Sequence, residues 1–113
     1  MKGTHLGEFE ELILLIVGVL YPDAYGLAIM QSLKDQSKRS TSMGAVHSAL
    51  SRLEEKGFLN AHLDDATHER GGRRKKLYEI TAEGKRSLEL NRSLRNDLWN
   101  QIPDLAFEQL KNG

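Results

Sequence analysis

Cysteine is absent from this 113-residue chain, which excludes disulfides and thiolate metal sites and makes a cytoplasmic location the natural expectation. Net charge is absent too, because 16 Lys plus Arg offset 16 Asp plus Glu. At first sight that balance argues against a nucleic-acid partner. The longest apolar run, Leu12 to Leu20, has nine residues, whereas a membrane-spanning helix needs roughly 20, so no membrane partner is expected. Glu8, Glu10 and Glu11 occupy positions where a secretory leader would be basic. Internal repeats and low-complexity tracts are missing. So are a nucleophile elbow, a Walker-type phosphate loop and any ligand spacing typical of metals, so the chain is expected to be no enzyme and to need no cofactor or metal.

What is present is the composition of a folded domain: 39% hydrophobic and 28% charged residues, enough to bury one core in one cooperative unit. Residues 7–20 place Phe9, Leu12, Ile13, Ile16, Val17 and Leu20 at helical spacing behind an acidic first turn, which predicts a buried first helix. Tyr21-Pro22-Asp23 reads as a turn. A shorter amphipathic helix follows to about Ser37, carried by Tyr25, Leu27, Ile29, Met30 and Leu33.

The polar stretch Asp35 to Ser42 is a loop that delivers a third helix, capped by Thr41 or Ser42 and closed at Lys56-Gly57. The apolar stripe of this helix is Val46, Ala49, Leu50 and Leu53. Its opposite face reads Gly44, His47, Ser48, Ser51 and Glu55, with Arg52 on the flank. Small, hydrogen-bonding side chains of this kind suit a helix that lies against another surface.

Phe58 to Asp64 and Lys76 to Thr81 alternate as strands and predict a β-hairpin with a long loop. From Thr81 a last helix runs to about Ile102, where Pro103 kinks it or begins a new turn. Leu90, Leu94, Leu98 and Ile102 give it a narrow apolar seam. At about 20 residues it rises about 30 Å, longer than so small a body can cover, so part of it is expected to seek a partner chain. The fold class is therefore mainly α with a small β-hairpin: a winged helix-turn-helix over residues 1–81, plus a long C-terminal dimerisation helix over 82–113 with no true linker between them.

Resolved by segment, the neutral charge is an average. Residues 1–37 carry −3, residues 38–86 carry +4 and residues 87–113 carry −1. The sharpest feature is Arg70-Gly71-Gly72-Arg73-Arg74-Lys75-Lys76, five cations in seven residues at the hairpin loop. A plain solvated turn is the modest account of it; placed beside a polar groove-type helix, it suits phosphate contact. Lys38 and Arg39, just ahead of the third helix, form a second small cluster. His62, Asp64, Asp65, His68 and Glu69 match no standard ligand spacing and are not read as a metal site.

Four segments in this order resemble the PadR family of winged-helix transcription regulators: LGEFEELILLIVGVL, AYGLAIMQSL, SMGAVHSALSRLEEKGFL and GGRRKKLYEITAEGK. The resemblance spans about residues 6–85 and implies a homodimer that reads a pseudo-palindromic operator in double-stranded DNA, most simply as a repressor. It implies DNA contacts from Ser42, Gly44, His47, Ser48 and Arg52 of the third helix. Arg70, Gly72, Arg73, Arg74, Lys75 and Lys76 of the wing, with Lys38 and Arg39, complete the expected DNA-binding set. Where His47 stands, the family usually has tyrosine, and where Leu77 stands, often an aromatic residue.

Phe9, Ile13, Leu90, Leu94, Leu98, Trp99 and Ile102 are expected at the dimer interface. Some compact relatives hold flat aromatic molecules between subunits, which makes Trp99 the candidate contact for a small aromatic effector. Tyr25 and Gly26 read as structural. The competing functional expectation is a dimeric winged-helix module that binds a protein or effector without reading DNA.

Overall fold

A computed structural model describes residues 5–64, 75–108 and 110. The first helix, α1 (Glu8–Leu20), buries Ile13, Leu14, Ile16 and Val17 and carries Glu8, Glu10 and Glu11 in its first turn, where the helix dipole favours negative charge. The Gly7 N–H donates to Glu10 Oε1 at 3.4 Å, half of a capping box. The second helix, α2 (Gly26–Ser37), buries Ile29 and Leu33 and ends on Lys38, whose φ of 57° is left-handed and turns the chain away. Ser42 caps α3 (Met43–Glu55), its hydroxyl accepting from the Ala45 N–H at 3.1 Å.

The stripes of the three helices close one core around Ile13, Leu14, Val17, Ile29, Leu33, Val46, Leu50 and Leu53. Gly57, at φ 82°, reverses the chain after α3 into β1 (Leu59–Leu63), which pairs antiparallel with β2 (Lys76–Ile80) in a register running from Leu59 opposite Ile80 to Leu63 opposite Lys76. The second strand of this wing is also hooked to the body. Tyr78 donates its N–H to the Ala24 carbonyl at 2.9 Å, and Tyr25 bridges Leu77.

Thr81 fixes the start of α4 (Ala82–Gln101). Its hydroxyl accepts from the Gly84 N–H at 3.0 Å and donates to the Gly57 carbonyl at 2.6 Å. A Cβ at position 84 would stand 2.4 Å from the Phe58 carbonyl oxygen, so only glycine allows the helix to approach the hairpin this closely. Beyond this junction α4 leaves the body, with Arg95 bonded to Glu11 at 3.3 Å. Ile102 breaks out of helical geometry ahead of Pro103, and a short α5 (Asp104–Glu108) begins; of the two outcomes open at Pro103, the chain takes the new turn. The molecule measures 62 × 32 × 22 Å with a radius of gyration of 17.6 Å, against about 13 Å for a compact chain of this length. The excess reflects the projecting helix.

Candidate nucleic-acid interface

Because Val46, Ala49, Leu50 and Leu53 turn inward, helical geometry turns Gly44, His47, Ser48 and Ser51 outward, and all four are exposed. Beside them lies a groove of about 310 Å³ between α3, the start of α2 and β2, lined among others by Tyr25, Met43, His47, Ser51, Lys75 and Lys76. Gly26 makes the groove possible. A side chain there would come within 3.2 Å of both the His47 ring and the Met43 methyl. The Lys75 ammonium sits 4.1 Å above the Tyr25 ring, a cation–π contact that holds the base of the wing against the start of α2. Lys76 reaches Glu54 at 3.5 Å and passes 5.5 Å from the Tyr78 ring.

The expected DNA contacts divide into distinct groups. Gly44, His47, Ser48, Lys75 and Lys76 are on or next to the outward face of α3, and Ser42 is at its start with its oxygen engaged in the cap. Lys38 is exposed at the end of α2. Arg39 makes a two-pronged surface pair with Glu8, at 3.1 and 2.9 Å, and its guanidinium lies 5.9 Å over the Phe9 ring. Arg52 Nε donates to Glu10 Oε2 at 2.7 Å. Arg70, Gly72, Arg73 and Arg74 lie outside the described residues, as do Asp65, His68 and Glu69. His62 faces Glu79 across the hairpin at 3.7 Å.

Glu10 is the feature that sequence reasoning missed. It is the buried charged residue among those described, 8% exposed, and takes Lys56 Nζ at 2.6 Å as well as Arg52; Lys56 also donates to the His5 carbonyl. Burial by itself pushes the Glu10 carboxyl up, but hydrogen bonds from Lys56, Arg52 and the Gly7 N–H outweigh it and hold the group below the usual carboxylate range. A signal was available. Glu10, Ile13 and Val17 share one stripe of α1, with the buried Leu6 just ahead of the helix, and an acid on a buried stripe requires a cationic partner.

The residues expected at a dimer interface also divide. Ile13 is fully buried within its own subunit, which corrects the expectation: it is a core residue with no surface to offer a second chain. Phe9 is half-buried, packed against that core. In contrast, Leu90, Leu94, Leu98 and Trp99 are 54 to 65% exposed on α4. Trp99 packs against Phe107 of α5, with ring centroids 5.6 Å apart. A groove of about 440 Å³ between α1 and α4 is lined by Leu15, Leu88, Arg92 and Arg95, among others, with Trp99 outside its lining.

The profile of the family described as "Transcriptional regulator PadR-like family" matches residues 13–90. A PadR family transcription regulator from hypervirulent Clostridium difficile R20291 is similar at 28% identity, over 84% of this chain and 97% of that one, with a TM-score of 0.67. One from Eggerthella lenta DSM 2243 is similar at 27% identity, over 88% and 86%, with a TM-score of 0.66. Bacillus subtilis PadR in complex with operator DNA shares the fold at 23% identity, over 75% of this chain and 46% of that one, with a TM-score of 0.60. No functionally curated protein matches the chain. With three packed helices, a two-stranded wing and a family profile that covers more than half of its length, the chain belongs to the PadR-like family of transcriptional regulators.

Proposed function

We propose that the protein is a sequence-specific DNA-binding regulator that acts as a homodimer, represses transcription by occupying a pseudo-palindromic operator, and works in the cytoplasm by binding and not by catalysis. The observation that carries this reading is the exposed, hydrogen-bonding face of α3, Gly44, His47, Ser48 and Ser51, set beside the wing lysines Lys75 and Lys76. A helix of this kind reads base edges in the major groove, while cations at the wing and helix ends hold the phosphates and set register. The described cations in this role are Lys38, Lys75 and Lys76, with Arg70, Arg73 and Arg74 of the wing loop completing the set. Bacillus subtilis PadR, which shares the fold, is bound to operator DNA, which supports DNA as the partner.

The second subunit would cover the leucine seam of α4, and Trp99 beside that seam is the contact for a flat aromatic effector. Selection of bound sites from random DNA, followed by anisotropy titrations over a salt series, tests the reading. A palindromic consensus bound at least about 10³-fold more tightly than random duplex is expected; equal affinity for all sequences would overturn it. His47→Ala should reorder the ranking of operator variants.

A further inference from the structure

Three structural elements meet at one carboxylate. Glu10 lies in the first turn of α1, Arg52 and Lys56 lie one turn apart at the C-terminal end of α3, and the segment before α1 contributes the Gly7 N–H and, through Lys56, the His5 carbonyl. The charges suit both helix ends, an anion at the N-terminus of α1 and cations at the C-terminus of α3. The apolar stripe of α3 sets how deep the helix sits, but hydrophobic burial has no direction and tolerates a small rotation or slide. Charge-assisted hydrogen bonds of 2.6 and 2.7 Å do not, because they weaken steeply with misalignment. The Ser42 cap is local to α3 and tethers it to nothing else.

Resting on the DNA-binding reading above, we propose that Glu10 is a positioning residue: through Arg52 and Lys56 it fixes the angle at which α3 presents His47 and Ser48 to the bases, and Arg52 serves recognition through Glu10, not by gripping phosphate. Arg52 lies on the flank of α3, between the core stripe and the outward face, and its Nε is spent on Glu10. The side chain is half exposed, and swinging its guanidinium off Glu10 to reach a phosphate would strip one of two side-chain cations from a buried carboxylate, which is costly. Arg39 and Glu8 form a similar pair, but at the surface, where it holds little.

The test compares the wild type, Glu10→Gln and Arg52→Gln on three readouts: affinity for the selected operator, affinity for random duplex, and the slope of log K against log salt. For a positioning role, both variants lose about tenfold on the operator, keep their affinity for random duplex within about twofold, and keep the wild-type slope. Loss on both DNAs together, with the Arg52→Gln slope smaller by about 0.9, would identify a phosphate contact and overturn the proposal. Unchanged operator affinity in both variants would overturn it too.

Arg52→Gln leaves Glu10 paired with Lys56, so it keeps the test decisive if Glu10→Gln folds poorly. Amide hydrogen exchange on the DNA-free protein gives an independent readout. Both variants should lose protection in the last turns of α3 relative to α2, and equal protection would count against the clamp. If the wild type reads no sequence at all, the functional proposal fails, while the exchange comparison still decides whether Glu10 holds α3.

Discussion

The body formed by α1, α2, α3 and the hairpin differs from α4 in one respect: the main apolar stripe of each body helix is covered by another element of the same chain, with Leu15, Val19 and Leu27 left outside it, while the seam of α4 is not covered. Ile13, Leu50 and Leu53 are fully buried, whereas Leu90, Leu94 and Leu98 stand more than half exposed. Both regions carry apolar residues at helical spacing, so the pattern alone does not say what covers them. Length does. The helices of the body, of 12 or 13 residues, span it once, while the 20 residues of α4 overrun it.

The largest test of the contrast is Ile13→Ala. Truncating a fully buried isoleucine is expected to cost about 2–5 kcal/mol, read as a fall in urea midpoint that does not depend on protein concentration. A loss that vanished at high concentration would return Ile13 to the subunit interface. Second comes the junction between the regions. Gly84→Ala would press a methyl group against the Phe58 carbonyl and cost on the order of 1–3 kcal/mol, with the hairpin and α4 losing hydrogen-exchange protection together.

The third test lies on the seam. Leu94→Asp should leave the circular dichroism of the body intact, shift sedimentation from dimer to monomer, and lower the melting temperature only through lost association, so the wild-type difference should grow with protein concentration. A variant that still sediments as a dimer would place the interface elsewhere, with the groove between α1 and α4 the next candidate.

These tests bear on how much the sequence alone revealed. Three helix boundaries were legible because each carries a local mark: the cap at Ser42, one of the two hydroxyls offered there, the left-handed Gly57 and the Thr81 cap. The end of α2 was less legible, because the polar stretch read as a loop from Asp35 begins inside the helix, which runs to Ser37 and ends on a left-handed lysine. The outward face of α3 was legible by subtraction of its stripe. What stayed hidden were contacts between side chains distant in sequence. Arg52 and Glu10 are 42 residues apart, and Arg39 and Glu8 are 31 apart. A cation count sees an arginine near the groove helix but not the carboxylate that has already claimed it, and periodicity sees Ile13 as apolar without saying which chain buries it.

The smallest expected effect is the most diagnostic of how the body holds its recognition helix. The Glu10 carboxyl is held below the usual range in the folded protein, while in the unfolded chain it titrates near about 4.3. Between those two values the unfolded state binds more protons than the native state, so stability rises with pH there. The contribution of Glu10 is thus fully present above about pH 4.3 and is lost as the pH falls through its lower folded value. Glu10→Gln has no such proton to bind. Its stability curve should lie below the wild type at neutral pH and run flatter on the acid side, with the two converging as Glu10 protonates. Subtracting the curves cancels the titration of the exposed carboxylates, Glu8 among them, because both proteins share those. A gap that stayed constant down to low pH would mean that the ion cluster contributes shape alone, and α3 would then be held, like the rest of the body, by its apolar stripe.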